Sequence, residues 1–109
     1  MLYNIYIGTK RKGGKMKRVY VIKAQEDGVI GVATNRKQAV NMISDYCARY
    51  NWKLLEDNKW LYSKINNQLK KRLTAFLAVS FKSKHDEQWQ NTEFEVEEVE
   101  LNKLNMFYG

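Results

Sequence analysis

The spacing of hydrophobic positions changes along the chain. In residues 2–7, LYNIYI, Tyr3, Ile5 and Ile7 alternate with Asn4 and Tyr6, which predicts a strand. Residues 8–17 are polar and read as a loop. Residues 18–24, RVYVIKA, are β-branched and aromatic, the composition of a pleated surface. Glu26-Asp27-Gly28 is a turn signal, because glycine supplies the positive φ of tight hairpins. Residues 29–33, VIGVA, are expected to return antiparallel, with Gly31 marking a bulge or a close backbone approach.

The period then becomes helical. Asn35 is a candidate N-cap with Gln38 three residues on, the spacing of a capping box. Ala39, Val40, Ile43, Tyr46, Cys47 and Tyr50 fall on one stripe, which predicts a helix against the hairpin sheet, ending near Asn51 and Trp52. Leu61, Ile65, Leu69 and Leu73 recur every four residues and predict a second helix over 57–73. Residues 75–82 fit either a continued helix or a strand with Leu77, Val79 and Phe81 inward; the strand is expected. Residues 83–92 are loop-like, and 93–101 read as a strand with Phe94 and Val96 on one face. Glu97 and Glu98 interrupt its alternation, and a one-residue bulge would bring Val99 and Leu101 back to that face. The expected order is β-β-β-α-α-β-β. This is one small α+β domain over residues 1–109, an antiparallel sheet of four to five strands packed on two helices.

Composition fits a globular domain: 109 residues, 44% of them hydrophobic, with no proline. No apolar run approaches a membrane span, and one cysteine permits no internal disulfide, so a cytoplasmic location is expected. The net charge is +7, but it is concentrated. Lys10, Arg11, Lys12, Lys15, Lys17 and Arg18 carry six charges, and the remainder of the chain balances 13 basic against 12 acidic residues. Glu93, Glu95, Glu97, Glu98 and Glu100 form an opposing acidic cluster.

No catalytic constellation or cofactor motif emerges. Gly8, Gly13 and Gly14 lack the phosphate-loop spacing, and His85 has no partners at metal-ligand spacing. Cys47 sits on the apolar stripe and reads as a buried structural thiol. The candidate sites are therefore binding sites. The basic loop at Lys10, Arg11, Lys12, Lys15, Lys17 and Arg18 could contact phosphates; the plainer reading is a solubilising loop. Lys64, Asn67 and Lys71 would form a polar face of the second helix, for DNA or RNA contact or simply for solvation. Trp52, Trp60 and Trp89 are aromatic anchors for a protein partner, or core. A homodimer through an exposed sheet edge is a further option.

The segments RVYVIKAQEDGVIGVATNRKQAV and FEVEEVELN resemble small phage-borne or mobile-element accessory proteins. Those combine a hairpin-then-helix opening with an acidic closing strand ending in Leu-Asn. The matching positions are 18–22, Asp27, Gly28, 30–32, Lys37, Ala39, Val40 and 94–102, about a third of the chain. The resemblance implies a non-enzymatic accessory protein in the host bacterial cytoplasm. Such a protein would bind and modulate a host protein or nucleoprotein complex, for example as an anti-CRISPR-like inhibitor of a defence nuclease. It carries over no site residues. It also suggests translation from Met16, which would remove Lys10, Arg11, Lys12 and Lys15 and take the charge from +7 to +3.

Overall fold

The alternation in RVYVIKA becomes β1 (Arg18–Ala24), with Tyr20, Ile22 and Ala24 buried. It is followed by β2 (Gly28–Ala33), α1 (Arg36–Arg49), β3 (Lys53–Leu54), α2 (Asn58–Leu69), β4 (Thr74–Lys82) and β5 (Gln90–Glu100). This computed structural model describes residues 17–101. The expected strand at 2–7, most of the basic loop, Met16 and the tail from 102 lie outside the described residues. The fold is α+β: five antiparallel strands in the order β2-β1-β5-β4-β3, with two helices.

Alternate residues of the strands and the stripes of both helices form one core. Ile22, Leu77, Val79, Phe94 and Val96 meet Ile43 from α1 and Leu61 and Ile65 from α2, each at most 1% exposed. Both helices therefore cover the same sheet face. The other face carries Val21, Lys23, Val32, Phe76, Glu93, Glu95 and Glu97, exposed or half-buried.

The helix starts follow from their caps. Asn35 Oδ1 accepts from the Gln38 N–H at 2.7 Å, while Gln38 Oε1 accepts from the Thr34 N–H at 2.7 Å. Asp57 caps α2 by accepting from the Trp60 N–H at 2.8 Å. These bonds satisfy N–H groups that have no partner within the helix.

The hairpin turn uses Gly28 at φ +73°. Gly31 fulfils both expectations: the β1–β2 register shifts beside it, between Ile22 and Lys23, and a Cβ on Gly31 would collide with Met42 Cε. Residues 75–82 are the expected strand, with Ala75, Leu77, Val79 and Phe81 inward.

Three expectations are corrected. The second helix ends at Leu69, not at residue 73, and Leu73 is 62% exposed. The chain reverses there because the β-branched and aromatic run from Thr74 is drawn into the sheet. Gln68 secures the reversal, its amide bonding both the N–H (2.9 Å) and the C=O (2.8 Å) of Phe76. A short strand, β3, lies between the helices, paired with Phe81 and Lys82. β5 has no bulge: its register with β1 runs unbroken from Arg18–Glu100 to Ala24–Phe94, so Glu98 points into the helix-covered face.

Candidate functional site

The fold sorts the charges by face. Residues 36–72, which hold both helices, carry nine Lys or Arg and only Asp45, Glu56 and Asp57 as acids. β5 carries five glutamates and no basic residue. Strand alternation sends Glu93, Glu95 and Glu97 to the face away from the helices. Lys23 sits among them, 3.7 Å from Glu95 and 4.0 Å from Glu97. Five of the nine cations, Arg36, Lys37, Arg49, Lys59 and Lys64, lie on the helices, so a basic helical layer backs onto an acidic sheet face.

Glu98 is the exception, with its side chain 5% exposed beneath the helices. Each carboxylate oxygen has its own guanidinium: Arg18 at 3.2 Å and Arg36 at 3.7 Å. Arg36 also donates to Asn66 Oδ1 at 2.9 Å and lies over the Tyr20 ring. One arginine at the start of α1 therefore joins α2, β1 and β5. Pairing of this kind offsets the cost of burying a carboxylate.

Several clefts open on the surface of the described residues. One, of about 410 Å³, runs between the helices and is lined by Lys37, Val40 and Asn41 of α1 and Asn58, Lys59 and Tyr62 of α2. Lys37 and Asn41 are one helical turn apart, as are Asn58 and Tyr62, so each helix presents a polar edge to the other. Ser44 donates to Asn58 Oδ1 at 2.6 Å, tying the two edges together.

A second, of about 340 Å³, is lined by Asp27, Ile30, Tyr46, Arg49 and Tyr50. The Tyr46 and Tyr50 hydroxyls both donate to Asp27 Oδ2, at 2.7 and 2.9 Å. Tyr50 stacks on Trp52 (ring centroids 5.3 Å), and Trp52 stacks on Phe81 (4.1 Å). The Tyr46 hydrogen bond, then that of Tyr50, holds the Asp27 carboxyl below its ordinary range. Burial, then the bond to Asp27, pushes the Tyr46 phenol up; for Tyr50 the bond comes first. Burial pushes the Cys47 thiol up to about 11.

These shifts set a stability profile. The depressed Asp27 contributes stability above its unfolded pKa of about 3.9, lost as pH falls through the folded value. The raised Cys47, Tyr46 and Tyr50 contribute stability that is complete below their unfolded values and lost as pH rises through the folded ones. Melting temperature is expected to be flat from about pH 5 to 8 and to fall on both sides. Thermal melts of the protein and of Asp27→Asn check this. The variant should have a shallower acid limb, and an unchanged limb would exclude the Tyr–Asp27 bonds in solution.

The structure redistributes the residues expected to bind. Lys10, Arg11, Lys12 and Lys15 lie outside the described residues. Lys17 is exposed, whereas Arg18 is engaged with Glu98 and Glu100. Lys64 and Asn67 are exposed on α2, with Lys64 Nζ 5.4 Å from the Trp60 ring centre. Lys71 does not share their helical face, because α2 has ended before it. Trp52 and Trp60 are half-buried and pack against the core. Trp89 is 45% exposed under Lys82 Nζ. Cys47 is buried, as expected. The sequence reading missed the set Asn41, Asn58, Lys59 and Tyr62 with Lys37; the polar edges of the two helices, drawn together, were the available signal.

Among the described residues no group of three or more His, Cys, Asp or Glu is placed to hold a metal ion, and no helix is long and apolar enough to cross a membrane. Comparison with protein families, curated proteins and solved structures finds no match for the chain.

Proposed function

We propose that the protein is a non-enzymatic binder of the phage-accessory type. In this reading it docks through its basic helical layer on a host nucleoprotein complex, such as a CRISPR or other defence nuclease, and modulates or inhibits it. The observation that carries the reading is the opposition of faces: Lys37, Arg49, Lys59 and Lys64 on the two helices against Glu93, Glu95 and Glu97 on the uncovered sheet face. A segregated field of this kind orients approach to a polyanion and keeps the acidic face turned away. The resemblance of the hairpin–helix opening and acidic last strand supports the phage-type setting. Direct nucleic-acid binding without a protein partner is the second reading, favoured by the cation- and amide-lined cleft between the helices.

The test is affinity capture from a bacterial lysate, with and without nuclease, using the protein and two charge reversals. The expected result is a stoichiometric complex containing nucleic acid. It should be weakened by Lys64→Glu combined with Lys70→Glu and by raised salt. Glu93→Lys on the opposite face should leave it intact. Capture that is indifferent to salt and to the helical reversals would overturn the proposal.

A further inference from the structure

We infer that the cleft between α1 and α2 is a subsite for one nucleotide unit of single-stranded nucleic acid, with phosphate held by Lys37 and Lys59 and a base stacked on Tyr62. This rests on the nucleic-acid component of the function proposed above and names where it would be gripped.

The lining chemistry selects the ligand. Lys37, Lys59, Asn41 and Asn58 supply cations and amide donors around a cleft whose exposed wall is mostly apolar, and no carboxylate among the described residues lines it. Such a site accepts a group rich in acceptors and negative charge. Asn58 Oδ1 is already occupied by the Ser44 hydroxyl, which leaves its amide N–H groups for a ligand. Among the described residues neither Lys37 nor Lys59 makes an ion pair. Their neighbour Arg36 is held by Glu98 and Asn66.

Two features favour a nucleotide over an acidic peptide. Tyr62 is 43% exposed and belongs to the cleft lining, so an aromatic face stands next to the cations. Base stacking on an aromatic ring beside a basic track is how single strands are held without sequence preference. The Asn41 amide also matches a base edge, since asparagine pairs bidentately with adenine. The volume of about 410 Å³ lies in the range of ordinary ligand pockets. A single strand is specified because bases within a duplex have both faces covered by their neighbours.

The experiment is fluorescence anisotropy of a labelled 15-nucleotide single strand, and of the same sequence as duplex, titrated with the full chain at low salt. The single strand should bind more tightly. Tyr62→Ala should weaken it about tenfold and Tyr62→Phe should not. Lys37→Glu with Lys59→Glu should weaken binding at least as much and flatten its salt dependence. Tyr62 is a surface residue, and a thermal melt of each variant separates lost binding from lost fold. Single-strand binding unmoved by the Tyr62 and Lys37/Lys59 changes, but lost in Lys64→Glu with Lys70→Glu, would overturn the cleft while leaving the basic-layer proposal standing. No nucleic-acid binding at low salt would overturn the inference itself, and lysate capture would then decide the broader proposal alone. Equal binding of duplex and single strand would also overturn it.

Discussion

Arg36→Ala is expected to lower stability by about 3 kcal/mol, a large effect for a residue on the first turn of a helix. Glu98 is buried between Arg36 and Arg18, and removing one guanidinium leaves half of a desolvated carboxylate unpaired. The half-exposed Arg18 remains, so the loss should lie at the lower end of the range for broken buried pairs. The bond to Asn66 goes as well, loosening α1 from α2. Replacing both members, Arg36→Met with Glu98→Met, should recover most of the loss, because the desolvation penalty leaves with the charges. Urea midpoints at constant m-value measure this. A single variant within about 0.5 kcal/mol of the parent would show that Glu98 is solvated and that β5 does not run in the unbroken register described.

Phe94→Ala should cost about 3–5 kcal/mol, the range for emptying a buried aromatic site. Phe94 is 1% exposed in the middle strand of the sheet, paired with Ala24 on one side and Leu77 on the other. Its ring meets Tyr46 edge-on at 5.6 Å, so the cavity would also loosen α1. Phe76→Ala is the contrast. Phe76 lies on the adjacent strand but is 51% exposed on the uncovered face, and its loss should stay below about 1 kcal/mol. Equal losses in chemical denaturation would contradict the assignment of the two sheet faces.

Periodicity made much of this fold legible. The hairpin, the α1 stripe from Ala39 to Cys47 and the inward set Leu77, Val79 and Phe81 all follow from spacings of two or three to four residues, and burial agrees. What stayed hidden depends on distant partners. A glutamate on the core face reads as an error in a strand pattern until its arginines are known, and Arg18 is 80 residues from Glu98. A bulge was the local remedy, and the tertiary ion pair made it unnecessary. Leu73 prolongs a four-residue period beyond the end of α2, because competition from β4 cannot be read from the helix alone. β3 has two residues, too few to carry a period. The cleft was illegible for a related reason: Lys37 and Tyr62 become neighbours only when α1 packs on α2. The charge segregation noted in the sequence is also present among the described residues, where residues 36–72 carry nine cations, five of them on the helices.

The position of β5 bears on the order in which the protein can be assembled during synthesis. The last strand among the described residues, Gln90–Glu100, is the middle of the sheet, hydrogen-bonded to β1 on one side and β4 on the other. Before it emerges, β1–β2 and β4–β3 are separate ribbons, and a lone pair of strands is marginal in water. A nascent chain therefore has local elements to form, the first hairpin and the two helices, but no sheet to rest them on. The sheet is completed only when β5, rich in glutamate, pairs with β1 and β4.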